Sequence, residues 1–256
     1  STKDYRKAEK ACRASIDLKQ ESADAWNLLG AILEADGRDF NDAMTCYKRA
    51  LECDPCCAPA YNNIGNLHWK NGNVDASISF YKKVTEHGPS LFQGFYNYAR
   101  ALQQKGAVAE ALEFYSKSIS LKPDHVEAYW NTAICYLLGN QYEKGWPYYD
   151  YRLQLPGQSV LHAQPDLPLW DGGSLAAGQS LLLVSEQGFG DTIQFVRYVK
   201  NLVDRGMTVR LCIQPQLHDL VIASGIHPNP LSPDECRNLA DGFWLPLMSL
   251  PRILGV

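Results

Sequence analysis

The sequence predicts an α + α/β chain: a superhelix of paired antiparallel helices over residues 1–155, then part of an open α/β unit with parallel strands. Three observations carry this. A large residue recurs at Trp26, Tyr61, Phe95 and Tyr129, at spacings of 35, 34 and 34. Charge density falls after Pro156, from 18 basic and 19 acidic side chains in residues 1–156 to 6 and 9 in residues 157–256. The apolar run Leu181–Val184 leads directly into a glycine loop and then a stretch of helical apolar spacing.

The period is carried by more than the first aromatic. Three positions on stand Leu29, Ile64, Tyr98 and Thr132, each followed by a small residue: Gly30, Gly65, Ala99 and Ala133. Later in each unit come Ala43, Ser77, Ala111 and Gly145, and four residues after these Tyr47, Tyr81, Tyr115 and Tyr149. A bulky residue beside a tiny one lets two helices approach closely at the small position. A small residue and an aromatic four apart lie on one face of the answering helix. Pro55, Pro89 and Pro123 end the second helix of each unit. Complete units begin at about 23, 58, 92 and 126, and residues 1–22 read as the second half of a preceding unit, so the chain is expected to be a fragment at its start. The one irregular spacing is an extra residue in Gly37-Arg38-Asp39-Phe40-Asn41. This pattern resembles the tetratricopeptide repeat, which implies a right-handed α-superhelix that binds proteins or peptides.

Two positions beyond each first aromatic stand Leu28, Asn63, Asn97 and Asn131. A carboxamide offers both donor and acceptor, so asparagines one repeat apart can grip the backbone of an extended peptide whatever its sequence. Asparagine is unfavourable inside a helix, which argues for a specific use. Asn62, Asn66, Trp69, Tyr96, Arg100, Gln103 and Trp130 share this face. The alternative is that the asparagines bond neighbouring helices within the array. The ladder resembles the one that holds acceptor proteins in O-linked N-acetylglucosamine transferases; Leu28 interrupts it in the first complete unit.

Residues 156–180 read as a Pro/Gly-rich strap between the two parts, and residues 181–256 as α/β. Leu181–Val184 and Thr208–Ile213 are expected strands, residues 192–203 and 215–223 helices, Phe243-Trp244-Leu245 a further short strand, followed by residues 247–254. Strand, helix and strand with short turns imply a right-handed parallel unit of Rossmann type. The loop Ser185-Glu186-Gln187-Gly188-Phe189-Gly190-Asp191 follows the first strand, where ligands of such sheets bind. It is Gly-x-Gly-Asp and not a dinucleotide fingerprint. Asp191 reads either as a helix N-cap or as a general base.

Residues 186–198, Glu186 to Tyr198, are similar to a motif that follows tetratricopeptide arrays in bacterial glycosyltransferase-like proteins, and Ser249-Leu250-Pro251 with Leu254-Gly255 matches the same family. Gly190-Asp191 resembles the Gly-Asp opening of lipopolysaccharide heptosyltransferases, which have the two-domain GT-B fold; where their pattern has proline this chain has Arg197. The resemblance implies sugar transfer from a nucleotide donor to a hydroxyl. Asp191 would be the base, the backbone of Gly188 and Gly190 would face negative charge, and Glu186 and Gln187 would orient the acceptor. The donor-binding domain would lie beyond Val256, so no cofactor is assigned to this chain, which is expected to be inactive alone. The other reading is a non-catalytic interaction scaffold.

Composition narrows the classes further. The chain has 256 residues, net charge −4, 46% hydrophobic and 20% charged residues, as in an ordinary globular protein. No apolar run approaches the ~20 residues of a membrane span. There is no basic stripe for nucleic acid. The eight cysteines, Cys53, Cys56 and Cys57 among them, lack a second Cys/His pair at zinc spacing, so no metal is expected. Reduced thiols and the absence of an apolar leader at Ser1–Lys7 give a cytoplasmic expectation.

Overall fold

The computed structural model describes residues 2–255 except Asp39, 158–160, Ala177 and Gln187. The chain divides into two compact units, residues 1–135 and 136–256.

The first unit is a stack of helix pairs: α1 (Thr2–Leu18), α2 (Ala23–Ala35), α3 (Phe40–Cys53), α4 (Ala58–Lys70), α5 (Val74–His87), α6 (Phe92–Gln104), α7 (Val108–Leu121) and most of α8 (Val126–Leu138). Helices α2 and α3, α4 and α5, and α6 and α7 are the pairs the repeat demands. The small-residue position works as the spacing implies. A methyl at Gly30 would sit 2.6 Å from Tyr47 Cε1, and one at Gly65 2.5 Å from Tyr81 Cε1. Tyr47, Tyr81 and Tyr115 are fully buried. Their phenols reach across to the first helix of their own pair: Tyr47 donates to Glu34 (3.0 Å), Tyr81 to Asn66 (2.8 Å) and Tyr115 to Gln103 (2.6 Å). Each large ring thus buries its body and still satisfies its hydroxyl.

The turn inside each pair carries a periodic signal that the aromatic pattern does not reveal. Gly37, Gly72 and Gly106 have φ of +76°, +76° and +81°, and Asn140 stands at the same point of the next unit with φ +56°. A left-handed residue is needed to reverse the chain there, and glycine or asparagine adopts it at least cost. Successive first helices α2, α4 and α6 approach one another more closely than successive second helices do, which places the first-helix side on the inside of the curve.

The second unit contains the end of α8, α9 (Tyr142–Tyr149), a 3-10 turn (Asp150–Gln154) and a three-stranded parallel sheet. Strands β1 (Ser180–Val184), β2 (Thr208–Cys212) and β3 (Phe243–Pro246) lie in the order β2-β1-β3, with Leu182 opposite both Arg210 and Trp244. All five residues of β1 are buried, as a central strand covered on both faces requires. On one face Leu181, Leu183, Leu211 and Leu245 pack with Phe195 and Val196 of α10 (Phe189–Val196), Val199 and Leu202 of α11 (Tyr198–Asp204), Val221 of α12 (His218–Ala223) and Leu250 of α14 (Leu250–Leu254). On the other, Leu182, Val184 and Cys212 pack with Ala163 and with Cys236 of α13 (Pro233–Arg237).

Two details differ from the sequence reading. The expected helix over 192–203 is two helices broken at Arg197, where an exposed guanidinium lies 5.1 Å from the Tyr198 ring. The expected strap packs on the sheet of its own unit: Trp170 donates to the Trp244 carbonyl (2.8 Å) and Trp244 to that of Pro168 (3.0 Å), adding an extended edge beside β3. Unpaired edge amides of β3 and the apolar side chains Leu161, Ala163 and Leu167 account for this. What is shown is this small parallel sheet with its helices; a complete Rossmann domain is not.

Candidate functional site

The inner face of the first unit brings the asparagines together and gives them partners. Asn63 Nδ2 donates to Asn27 Oδ1 (2.9 Å). Asn97 Nδ2 donates to both Asn62 Oδ1 (2.9 Å) and Asn66 Oδ1 (3.2 Å). Asn131 Nδ2 donates to the Tyr96 hydroxyl (3.0 Å). Each bond crosses from one repeat to the preceding one, so the ladder is partly a seam between repeats. The Oδ1 atoms of Asn63, Asn97 and Asn131 take no such part. Among the described residues none accepts a hydrogen bond, and the sole buried side-chain polar atom without a partner is His68 Nδ1, so all three oxygens reach solvent. The NH2 groups thus tie neighbouring repeats, as the second alternative has it.

Arg100 lies in the same face. Its guanidinium carbon is 5.0 Å from the Trp69 ring centre and 5.6 Å from that of Tyr96. Beside Tyr96, His125 is buried against Phe92 and Tyr96, with Nδ1 3.2 Å from Ser118 Oγ. Burial lowers its pKa below the ordinary value; Glu127, 3.6 Å away, pulls upward, as does Asp124, while Lys122 pushes down. With the folded value depressed, the neutral ring's contribution is complete above the unfolded value of about 6.5 and is lost as pH falls below it. The urea midpoint should therefore decline between pH 7 and pH 5 more steeply in the native chain than in His125→Gln. Parallel profiles would show that His125 does not contribute.

In the second unit the loop after β1 is held from behind. Gln214, buried and unremarked in the sequence, accepts from Ser185 (3.2 Å) and Thr192 (2.9 Å) and donates to the Glu186 carbonyl (2.6 Å). Glu186 is buried. Its carboxylate is buried on Arg152, taking Nε at 3.1 Å and Nη2 at 2.5 Å. Arg152 spends its other donors on Asp150 Oδ1 (2.9 Å), the Tyr149 carbonyl (3.2 Å) and Ser249 Oγ (3.2 Å), and lies 4.6 Å from the centre of the Tyr149 ring. Ser249 donates to Asp150 (2.6 Å), and Arg252 pairs with the other Asp150 oxygen (2.8 Å). The order β2-β1-β3 places the loops after β1 and β3 side by side at one end of the sheet. Here the Arg152 guanidinium joins the two loops at that point.

Asp191 is exposed at the third position of α10, and Gly188 is the N-cap, so the capping alternative does not describe it. Its Oδ2 folds back over Gly188, where a Cβ would run into it. A carboxylate there already sits at the positive end of the helix. Gly190 has open space around it, and Gln187 lies outside the described residues. Burial pushes the Tyr149 hydroxyl up to about 12 against the opposing pull of Arg152. Among the described residues no three His, Cys, Asp or Glu side chains converge as a metal site, and no helix is long and apolar enough to cross a membrane.

The paired helices, the glycine-to-tyrosine contacts and the inter-repeat seam define a helical-repeat solenoid. Family models agree and give the class: "Tetratricopeptide repeat" matches residues 2–55 and 62–125, and "TPR repeat" matches 39–72. The chain carries tetratricopeptide repeats, and neither match extends past residue 125. Among solved structures, a crystal structure of MamA is 21% identical with a TM-score of 0.51, covering 59% of this chain and 88% of that one. A second MamA crystal structure is 21% identical with a TM-score of 0.50, covering 59% and 82%. These likenesses concern the fold. No curated protein matches the sequence.

Proposed function

We propose that this chain is a protein-interaction scaffold whose repeat array takes an extended polypeptide along the face of its first helices. The observation that carries the reading is the row of open Asn63, Asn97 and Asn131 carbonyl oxygens, one repeat apart and held in place by bonds from their own NH2 groups. An acceptor fixed in this way loses little entropy on meeting a peptide N–H. Asn66 supports the ladder by accepting from Asn97 and Tyr81. The sugar-transfer reading rests on the resemblance of the loop around Asp191. It gains nothing from Glu186, whose carboxylate serves Arg152.

The test uses a pool of acetylated and amidated nonapeptides randomised over Ala, Ser, Thr and Val. The native chain should bind the pool, and Asn63→Ala/Asn97→Ala/Asn131→Ala should bind it at least about tenfold more weakly, the equivalent of about 1.4 kcal/mol. Asn62→Ala loosens the seam and spares the open oxygens, so it should change binding little. Undiminished binding by the triple variant, or an equal loss in Asn62→Ala, would overturn the ladder's role.

A further inference from the structure

Arg100 is the partly buried arginine of the first unit that lacks a carboxylate. Arg13, Arg38 and Arg49 are exposed and paired with Glu9, Glu9 and Asp36, and Glu52; Arg6 is exposed. Among the described residues Arg100 has neither an ion pair nor a hydrogen bond, yet none of its nitrogens is sealed from solvent. Arg152 shows the contrast, with every N–H donor engaged inside the protein.

The surroundings of Arg100 specify what it can take. Trp69 and Tyr96 hold the planar group by its π-system, which restricts the side chain and leaves the N–H edges as the free valence. A fork of parallel N–H donors matches a carboxylate better than any neutral acceptor. Partial withdrawal from water strengthens such a contact relative to an exposed lysine. Arg100 lies on α6 beside Asn97, with Asn63 on α4 before it and Asn131 on α8 after it, so a chain gripped by the ladder runs past Arg100 in both directions. The carboxylate therefore belongs to an internal side chain.

We infer that Arg100, braced by Trp69 and Tyr96, selects an Asp or Glu side chain in the middle of the polypeptide that the asparagine ladder holds. This rests on the groove reading above and adds a sequence requirement to it.

Three nonapeptide pools test it, acetylated and amidated so that no terminal carboxylate competes. They are randomised as before and carry Glu, Gln or Lys at the central position. With the full chain in about 0.1 M salt, the Glu pool should bind at least about fivefold more tightly than the Gln pool, and the Lys pool most weakly. The Glu advantage should shrink as salt rises. In Arg100→Gln it should vanish while Gln-pool binding is retained, and Arg100→Lys should restore only part, because the planar fork is gone. Equal binding of Glu and Gln pools by the native chain, with binding still lost in the triple asparagine variant, would overturn the role of Arg100 and leave the groove reading standing. Binding of no pool would reject both.

Discussion

Replacing Arg152 by Met is expected to destabilise the second unit by about 3–5 kcal/mol, the cost of breaking a buried ion pair from one side. Arg152 is 4% exposed and all its side-chain N–H groups are engaged. Met fills much of its volume and supplies no donor, so the buried Glu186 carboxylate would lose both of its bonds from the guanidinium. Urea unfolding followed by the fluorescence of Trp170 and Trp244, which lie in this unit, reads the change. Adding Glu186→Gln to Arg152→Met should return at least about 1 kcal/mol, because the stranded charge is gone. A single variant within about 1 kcal/mol of the native chain would mean that the brace does not hold the two loops together.

Tyr81→Ala should cost the repeat array about 3–5 kcal/mol, as large aromatic truncations in packed cores do. Tyr81 is fully buried and fills the space that Gly65 leaves open. The partner change makes the argument sharper. Gly65→Ala alone should cost about 1–3 kcal/mol through overpacking, since its methyl would meet the Tyr81 ring at 2.5 Å. In the Tyr81→Ala background that penalty should disappear or reverse, because the methyl then enters a void. Urea melts followed by helical circular dichroism measure the four corners. Additive effects would show that the ring and the glycine are not the contact they form here.

The helix pairs of the first unit were legible because one local requirement recurs at a fixed period. Gly30 and Gly65 must each admit the tyrosine of the answering helix, Tyr47 and Tyr81, so small residue and ring recur together. Helix starts, proline stops and the asparagine positions follow from that period. The role of the asparagine NH2 groups did not, because Asn63 meets Asn27 and Asn131 meets Tyr96 across a repeat, and side-chain partners one turn apart in period look alike in sequence. Strand β1 was plain as a short apolar run between polar segments. Arg152 was silent: its partners Glu186 and Ser249 lie 34 and 97 residues away, and nothing local marks an arginine for burial. The resemblance of the loop implies that Glu186 orients an acceptor, and no local signal pairs it with Arg152. The break at Arg197 left no trace either, since apolar spacing continues through it.

Asn97 commits its amide nitrogen to Asn62 and Asn66, so toward the groove it can only receive a hydrogen. On the groove-binding reading, the residue of the guest chain opposite it must bring an N–H, which proline does not possess. A tract of consecutive prolines, already extended and otherwise well suited to a long channel, would find no purchase at that rung. The ladder that ignores side chains therefore still keeps one residue out, and does so through the backbone alone.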